Sequence, residues 1–365
     1  MLIGVDAGCL GIKDTRLRVG VYTVAKNLLE KLGKLDRKNK YALYSFYPIE
    51  KSLMKSFGPN MKNIIVTPVR GWMKIWLPMK IRKETPKVFL ALSQTVPSYM
   101  PFRKKPYTIG FVYDLAFEKF PNMYPGFASK LKNESRNTAN VSDAILTISE
   151  NSKKDLIKLY KTNVKKIHVS HPGVSKNFKH IGKKHKSKKP YFLFVGSLKR
   201  TKNVPGIIKA FLYFIKSSKI DFDLYIVGGD KWFDSEIRQV LKDAGSKNIQ
   251  FLGFVNEKML PSLYRGATAF VSPSFYEGFG LPLAEAMKSG IPVIGSNASS
   301  IPEIVGDGGI LVNPKNYKEI GGAMMEVVKN SKKRKSMIKK GLKRVDNFSW
   351  DKFANDVMSL INKGQ

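Results

Sequence analysis

The chain has 365 residues, longer than one hydrophobic core usually serves, so two or three domains are expected. It is 43% hydrophobic and 25% charged, and its single cysteine, Cys9, excludes an internal disulfide and any multi-cysteine metal site. Lys and Arg number 64 against 28 Asp and Glu, a net charge of +36 that favours polyanions: anionic lipid headgroups, phosphate-bearing substrates or nucleic acid. A lysine-biased genome is the bland reading of that charge, and it explains the preference for Lys better than the scarcity of carboxylates. The start, MLIGVDAGCLG, lacks the basic flank and apolar run of a signal peptide, and no apolar run precedes Cys9 as a lipidation site would require. No stretch of 18 or more apolar residues occurs, so a soluble or surface-lying protein is expected.

Short apolar runs read as strands at 2–8, 40–47, 62–68, 87–92, 107–114, 144–149 and 166–173. Between the first two, Val21, Val24, Leu28, Leu29 and Leu32 mark one face of an amphipathic helix. Ser149 is a good cap for a further helix running to about Tyr160. The basic stretch 182–190, GKKHKSKKP, reads as an interdomain linker. Beyond it, strands are expected at 191–196, 222–229, 249–254, 268–274, 292–296 and 309–314, with helices over 203–217, 234–244, 257–265 and 281–288. The alternation is that of two α/β, doubly wound domains with parallel sheets, binding ligands at the carboxyl ends of their strands.

The most informative segment is SPSFYEGFGLPLAEAMKSGIPVIGSN at 272–297. A strand there leads into Glu277-Gly278-Phe279-Gly280, and Pro282 stands where a first helical residue belongs, with Gly290 closing the helix. Glycines before a helix start allow close backbone approach, and the unpaired first-turn amides form an anion site suited to a diphosphate. Glu277 stands at the mouth of this loop and Glu285 lies in the first turns of the helix. A carboxylate accepts two hydroxyl hydrogen bonds at once, which suits the vicinal diol of a sugar or ribose. The plainer alternative makes Glu285 a helix-dipole residue and Glu277 a solvated loop residue.

The same segment resembles the signature of family 4 retaining glycosyltransferases, which have the GT-B fold and two glutamates separated by seven residues. The likeness extends through SDAILTISENSKKDL, HPGV, FLFVGSLKRTKNVPGIIKAF, LYIVGG, IQFLGFVNEKMLPSLYRGA and FSW, and it points to polysaccharide mannosyl- and rhamnosyltransferases. It implies two Rossmann-like domains facing a cleft: an acceptor-binding domain over 1–183, a nucleotide-sugar-binding domain over 190–345, and a C-terminal helix over 346–365 packing back on the first. By resemblance Glu285 holds the ribose of the donor nucleotide, Glu277 lies near the transferred sugar, and Gly278, Phe279, Gly280 and Leu281 contact sugar and diphosphate. Lys202 matches the lysine that neutralises the leaving diphosphate, as fixed cations do where other enzymes use a metal. A second cation is usual in that loop; Ser197 and Thr201 stand at its places and Arg200 is one step displaced. Phe254 and Val255 fall in the segment that reads the base. Where the family shows a His-Asp pair, this chain has Tyr113 and Asp114; a tyrosine can donate a hydrogen bond but cannot carry a proton near neutral pH. The family's glycine-rich turn with an arginine and a tyrosine appears as Arg18-Val19-Gly20-Val21-Tyr22, in which Gly20 and Tyr22 match and the arginine does not. The resemblance further implies a nucleotide sugar as donor, GDP-mannose by preference, a glycan or lipid-linked acceptor, no cofactor and no metal.

Other signals carry less. Asp221-Phe222-Asp223 is an Asp-x-Asp, but it precedes a strand instead of following one, so it reads as a solvated loop. His168, His171, His180 and His185 lack ligand spacing. In 70–83, Trp72, Trp76, Met73, Ile75 and Leu77 interleave with Arg70, Lys74, Lys80, Arg82 and Lys83, which suits an anionic bilayer interface; the alternative is a half-buried helix with its tryptophans in the core. A cytoplasmic enzyme peripheral on the inner face of the cell membrane is the expectation, with membrane placed ahead of nucleic acid. A same-fold transferase modifying another polyanion, and a non-catalytic basic binding protein, are the competing readings.

Overall fold

The computed structural model describes residues 1–14, 20–97, 105–229, 235–244 and 247–364. The chain divides into two units, Met1–Gly173 with Ser349–Gln365, and Val174–Phe348. In unit 1 the strands are β1 (Leu2–Asp6), β2 (Lys40–Ser45), β3 (Met61–Ile65), β4 (Val88–Ala91), β5 (Tyr107–Val112), β6 (Ala144–Thr147) and β7 (Ile167–Val169). They lie in the order β3-β2-β1-β4-β5-β6-β7, every neighbouring pair parallel. Unit 2 holds β8 (Tyr191–Val195), β9 (Asp223–Val227), β10 (Ile249–Gly253), β11 (Ala269–Ser272), β12 (Val293–Ser296) and β13 (Gly309–Val312), again all parallel, in the order β10-β9-β8-β11-β12-β13. Each strand run read from the sequence forms a strand. The apolar runs are continuous because a parallel sheet is covered on both faces: every residue of β4, β6, β9, β11 and β12 is buried.

In unit 1 the helices are α1 (Gly20–Leu35), α2 (Lys51–Phe57), α3 (Leu77–Glu84), α4 (Ala116–Lys119), α5 (Ala128–Val141) and α6 (Glu150–Tyr160). Unit 2 has α7 (Val204–Ser218), α8 (Ser235–Ala244), α9 (Leu260–Gly266), α10 (Leu281–Lys288), α11 (Ile301–Val305), α12 (Tyr317–Lys329) and α13 (Ser331–Val345). The last helix, α14 (Trp350–Lys363), returns to unit 1, where Asp351 pairs with Lys31 of α1 at 2.7 Å and Asp356 accepts from the Ser170 hydroxyl at 2.7 Å. In both sheets the strand order reverses beside the first strand, between β1 and β4 and between β8 and β11. Ligands of open α/β sheets bind outside the carboxyl ends of the strands at such points. None of the helices among the described residues is long and apolar enough to cross a membrane.

Two expectations are revised. The basic stretch 182–190, read as a linker, belongs to unit 2: His185 N–H donates to Ser262 O at 2.9 Å, and the Arg265 guanidinium donates to Lys183 O. Backbone hydrogen bonds and an arginine clasp tie it down in spite of its charge. The chain passes between units at Gly173/Val174 and Phe348/Ser349 instead.

The second revision concerns 70–83. Trp72 is 6% exposed in the unit 1 core with Leu77, Ile81 and Phe89, edge-on to Phe46 at 5.5 Å. Trp76 is half-buried and its indole N–H donates to Arg70 O at 3.1 Å. The apolar side chains that do face outward are Ile75, 50% exposed, and Met79, 59% exposed, one helical turn apart. A core tryptophan truncated to alanine loses about 3–5 kcal/mol, whereas an exposed side chain changes stability by about 0.5 kcal/mol or less. Trp72→Ala is therefore expected to lower the melting temperature by many degrees and Met79→Ser hardly at all; equal melting curves would contradict this packing.

Candidate functional site

The unit 2 switch point is built by the two turns that follow β8 and β11. After β8, Arg200–Lys202 forms a single tight turn, and Asn203 then adopts a left-handed φ of 58° to start α7. Asn203 is buried and its side-chain amide donates to Pro273 O at 3.1 Å and Pro314 O at 2.7 Å. Phe275 N–H donates to Thr201 O at 2.8 Å. The lysine turn and the glutamate loop are thus hydrogen-bonded to each other through their backbones.

That frame brings Lys202 and Glu277, 75 residues apart in sequence, into an ion pair of 2.5 Å from Nζ to Oε2. Glu277 is not a solvated loop residue: it is 9% exposed, and its other oxygen accepts from the Ser274 hydroxyl at 2.8 Å. Its amide donates to Ser299 Oγ at 2.9 Å, and the Ser300 hydroxyl donates to Glu277 O at 2.9 Å and Phe279 O at 3.2 Å. Gly278, Phe279 and Gly280 are buried with it, the Phe279 ring edge-on to Phe348 at 5.2 Å. Gly280 has φ 95°, and a Cβ there would meet Leu283 Cδ1 at 2.8 Å, so only glycine fits the turn into α10. Leu281 is half-buried and opens α10, followed by Pro282, which has no N–H, and by Leu283, whose N–H donates to Gly280 O at 2.9 Å.

Glu285 lies one turn further along α10, half-buried, accepting from the Tyr264 hydroxyl of α9 at 3.1 Å. Burial pushes its carboxyl up to about 7, the Tyr264 bond pulls it down and Glu257 adds to the rise. Tyr264 is itself fully buried and its hydroxyl is held well above the ordinary tyrosine value by burial and by Glu285. Arg200 is exposed at the start of the lysine turn, and Ser197 is half-buried on the segment leaving β8. Phe254, 57% exposed, and half-buried Val255 follow β10; the Phe254 ring lies over Gly229, where a Cβ would stand 2.3 Å from it. Asp221 and Asp223 lie at the amino end of β9, the opposite edge of the sheet. There Asp221 pairs with Lys189 at 2.9 Å and Asp223 accepts from Gln250 at 3.1 Å. No cluster of three or more metal-ligating side chains occurs among the described residues.

In unit 1 the carboxyl ends of β1, β4 and β5 carry Asp6, Ser93 and the pair Tyr113 and Asp114. Asp6 is 1% exposed, accepts from the Ser93 hydroxyl and from Gly8 N–H at 3.1 Å, and has its carboxyl raised by burial. Tyr113, read as a donor to a sugar hydroxyl, is also buried, and its hydroxyl donates to Leu92 O at 2.7 Å. That bond directs the proton to the chain itself. Asp114 Oδ1 accepts from Ala116 N–H at 3.0 Å, opening α4. Gly20 is exposed as the first residue of α1 and Tyr22 is half-buried in its first turn; Arg18 and Val19 lie outside the described residues. The sequence reading missed Asn203, Tyr264, Ser274, Ser299 and Asp6. Only Asp6, a carboxylate closing an apolar strand run, left a signal in the pattern.

Residues 175–344 match the family model described as "Glycosyl transferases group 1". The O-antigen chain mannosyltransferase B of Escherichia coli is 29% identical over 267 residues, 69% of this chain and 69% of that protein. Among solved structures, sucrose-phosphate synthase from Thermosynechococcus elongatus gives a TM-score of 0.81 at 18% identity, covering 99% of this chain and 98% of that one. HepE of Anabaena, solved in complex with UDP and glucose, gives 0.76 at 16% identity and covers 99% of each chain. With the two doubly wound sheets, these likenesses establish the GT-B fold.

Proposed function

We propose that this glycosyltransferase, which belongs through residues 175–344 to the glycosyl transferases group 1 family, moves a hexose from a nucleotide-diphosphate donor to a glycan or lipid-linked acceptor at an anionic membrane surface, with retention of configuration. The observation that carries this reading is the Lys202–Glu277 pair at the β8/β11 switch point, beside the amino end of α10 and one turn from Glu285. Lys202 and the positive amino end of α10 receive the diphosphate, Glu285 takes the ribose hydroxyls, and Glu277 faces the sugar. Phe254 offers an exposed ring beside Gly229, and the backbone at Phe254 and Val255 is the base-reading segment. Mannose is favoured because the E. coli relative is named a mannosyltransferase, and GDP is the nucleotide we assign with it.

The reaction breaks the bond between the anomeric carbon and the β-phosphate oxygen and forms one from that carbon to an acceptor oxygen. The acceptor proton passes to the leaving phosphate, on the same face, so configuration is kept. Neither Glu277 nor Glu285 is assigned as the nucleophile of a covalent route, which in retaining glycosidases needs two carboxyl groups about 5–5.5 Å apart across the bond. A panel of nucleotide sugars, followed by donor hydrolysis, tests the reading. Turnover of GDP-mannose above the rest is expected, preference for a UDP-sugar would move the base assignment, and no turnover of any would sink the function.

Lys202 and the positive amino end of α10 do the work of a divalent cation in this reading, so full activity in excess chelator is expected. Complete loss restored by magnesium or manganese would contradict it.

The membrane part rests on charge and on the outward face of 70–83. Ile75 and Met79 are exposed there beside Arg70, Lys74, Arg82 and Lys83, while the one acid of the segment's helix, Glu84, pairs with Lys80 at 2.8 Å. Exposed charges act over about 8 Å at physiological ionic strength, and each basic residue near an anionic surface contributes about 1 kcal/mol. Binding to vesicles is expected to rise with acidic lipid and fall with salt. The salt-resistant remainder should disappear in Ile75→Ser/Met79→Ser, since apolar burial is not screened. An unchanged remainder would remove this face from the membrane, and preference for nucleic acid over acidic vesicles at matched salt would favour another polyanion.

A further inference from the structure

We propose that Ser274 is a positioning residue for Glu277, holding one carboxylate oxygen fixed so that only the other exchanges between Lys202 and the substrate; this rests on the reading of Glu277 as the sugar-facing carboxylate. Ser274 follows β11 and is fully buried. Its hydroxyl donates to Glu277 Oε1 at 2.8 Å. A carboxylate only accepts, so that direction is fixed, and the contact at 3.3 Å between the hydroxyls of Ser272 and Ser274 must then have Ser272 as donor. The result is a one-way chain, Ser272 to Ser274 to Glu277, in which each bond polarises the next.

The neighbouring buried serines donate to backbone carbonyls, Ser296 to Ser274 O at 2.6 Å and Ser300 to Glu277 O. Ser274 alone of these aims its proton at a side-chain carboxylate, and Ser296 pins the backbone from which it does so. The amide side of Glu277 is held just as deliberately. Its N–H donates to the hydroxyl of Ser299, a non-glycine residue at φ 53°, a left-handed conformation that persists only where the surroundings enforce it. Glu277 is therefore gripped at its amide, its carbonyl and Oε1, while Oε2 meets the end of a lysine side chain. When a diphosphate takes Lys202, Oε2 is released in a fixed direction instead of swinging with the whole carboxylate.

The test compares wild type, Ser274→Ala and Ser274→Cys. A displacement of about 1 Å in a positioned group can lower turnover by about a hundredfold. Ser274→Ala is expected to lower kcat by about ten- to a hundredfold, with the affinity for GDP, measured by calorimetry, within about threefold of wild type. Ser274→Cys keeps the shape with a weaker donor, so its kcat should fall between the two. Amide exchange across 276–280, measured with no sugar present, should quicken in Ser274→Ala. That arm stands even if wild type turns over no nucleotide sugar, a result that would sink the proposed function and not this bond. A folded Ser274→Ala with kcat within twofold of wild type and unchanged exchange would overturn the proposal. So would equal losses in kcat and GDP affinity, which would mark general loosening. Should the alanine variant not fold, the cysteine variant decides by the same two outcomes.

Discussion

Lys202→Ala is expected to lower transfer by two to three orders of magnitude and to destabilise unit 2 as well. The first effect follows from removing a fixed cation from the place where negative charge builds on the leaving diphosphate, a loss typically of about 3–4 kcal/mol in the barrier. The second follows from what stays behind. Glu277 is buried, and its carboxylate would keep Ser274 but lose the Lys202 countercharge. Breaking a fully buried pair costs about 3–5 kcal/mol; Lys202 retains 23% of its side-chain exposure, so water screens part of this and about 1–3 kcal/mol is expected. The double variant Lys202→Ala/Glu277→Gln should recover much of the lost stability without recovering turnover. Arg200→Ala, at an exposed position in the same turn, should cost far less in rate. Wild-type turnover by Lys202→Ala would remove the cation from the chemistry. A large loss of rate with no loss of stability would show that the pair seen here is not what Lys202 contributes to the fold.

Glu285→Gln is expected to weaken nucleotide binding by about ten- to a hundredfold and to flatten its dependence on pH near neutrality. The Glu285 carboxyl is pushed by burial up to about 7, well above the ordinary glutamate value of 4.5. Between those values the folded chain keeps a proton that the unfolded chain has lost. Stability from this group is therefore full below pH 4.5 and declines as pH rises to about 7, by up to about 3 kcal/mol. Nucleotide binding has the opposite slope. The two ribose hydroxyls donate to an ionised carboxylate, so binding near pH 6 must release the proton, and affinity should rise until pH 7 is passed. Calorimetry with GDP across pH 5.5–8, in buffers of differing ionisation enthalpy, reads both the affinity and the proton. The variant should be flat and release none. Unchanged affinity in Glu285→Gln would displace the ribose site.

The alternation of apolar runs with amphipathic helices made both sheets legible, because parallel strands buried on two faces cannot disguise their composition. Glu277 and Glu285 stand out as candidates because each lies next to a glycine turn or a helix start that leaves a local mark, whereas Lys202 is singled out by the family resemblance alone. What could not be read is whatever depends on partners distant in sequence. Nothing local says that Asn203 reaches Pro273 and Pro314, or that Tyr264 caps the carboxylate of Glu285. The tryptophans of 70–83 stay ambiguous in the sequence for the same reason in reverse: interleaving with lysine is common to an interface and to a half-buried helix, and only the packing of Trp72 against Phe46 separates them. The charge of 182–190 reads as solvation, whereas the clasp of Arg265 on Lys183 O acts through the backbone, to which composition is blind.

The most direct measurement is a crystal structure of the protein with GDP bound. The diphosphate is expected between Lys202 and the amino end of α10, the ribose hydroxyls on Glu285, and Lys202 drawn away from Glu277 while the Ser274 bond to that carboxylate persists. A nucleotide bound elsewhere, or one bound here with the Lys202–Glu277 pair still closed and Glu285 untouched, would contradict the site.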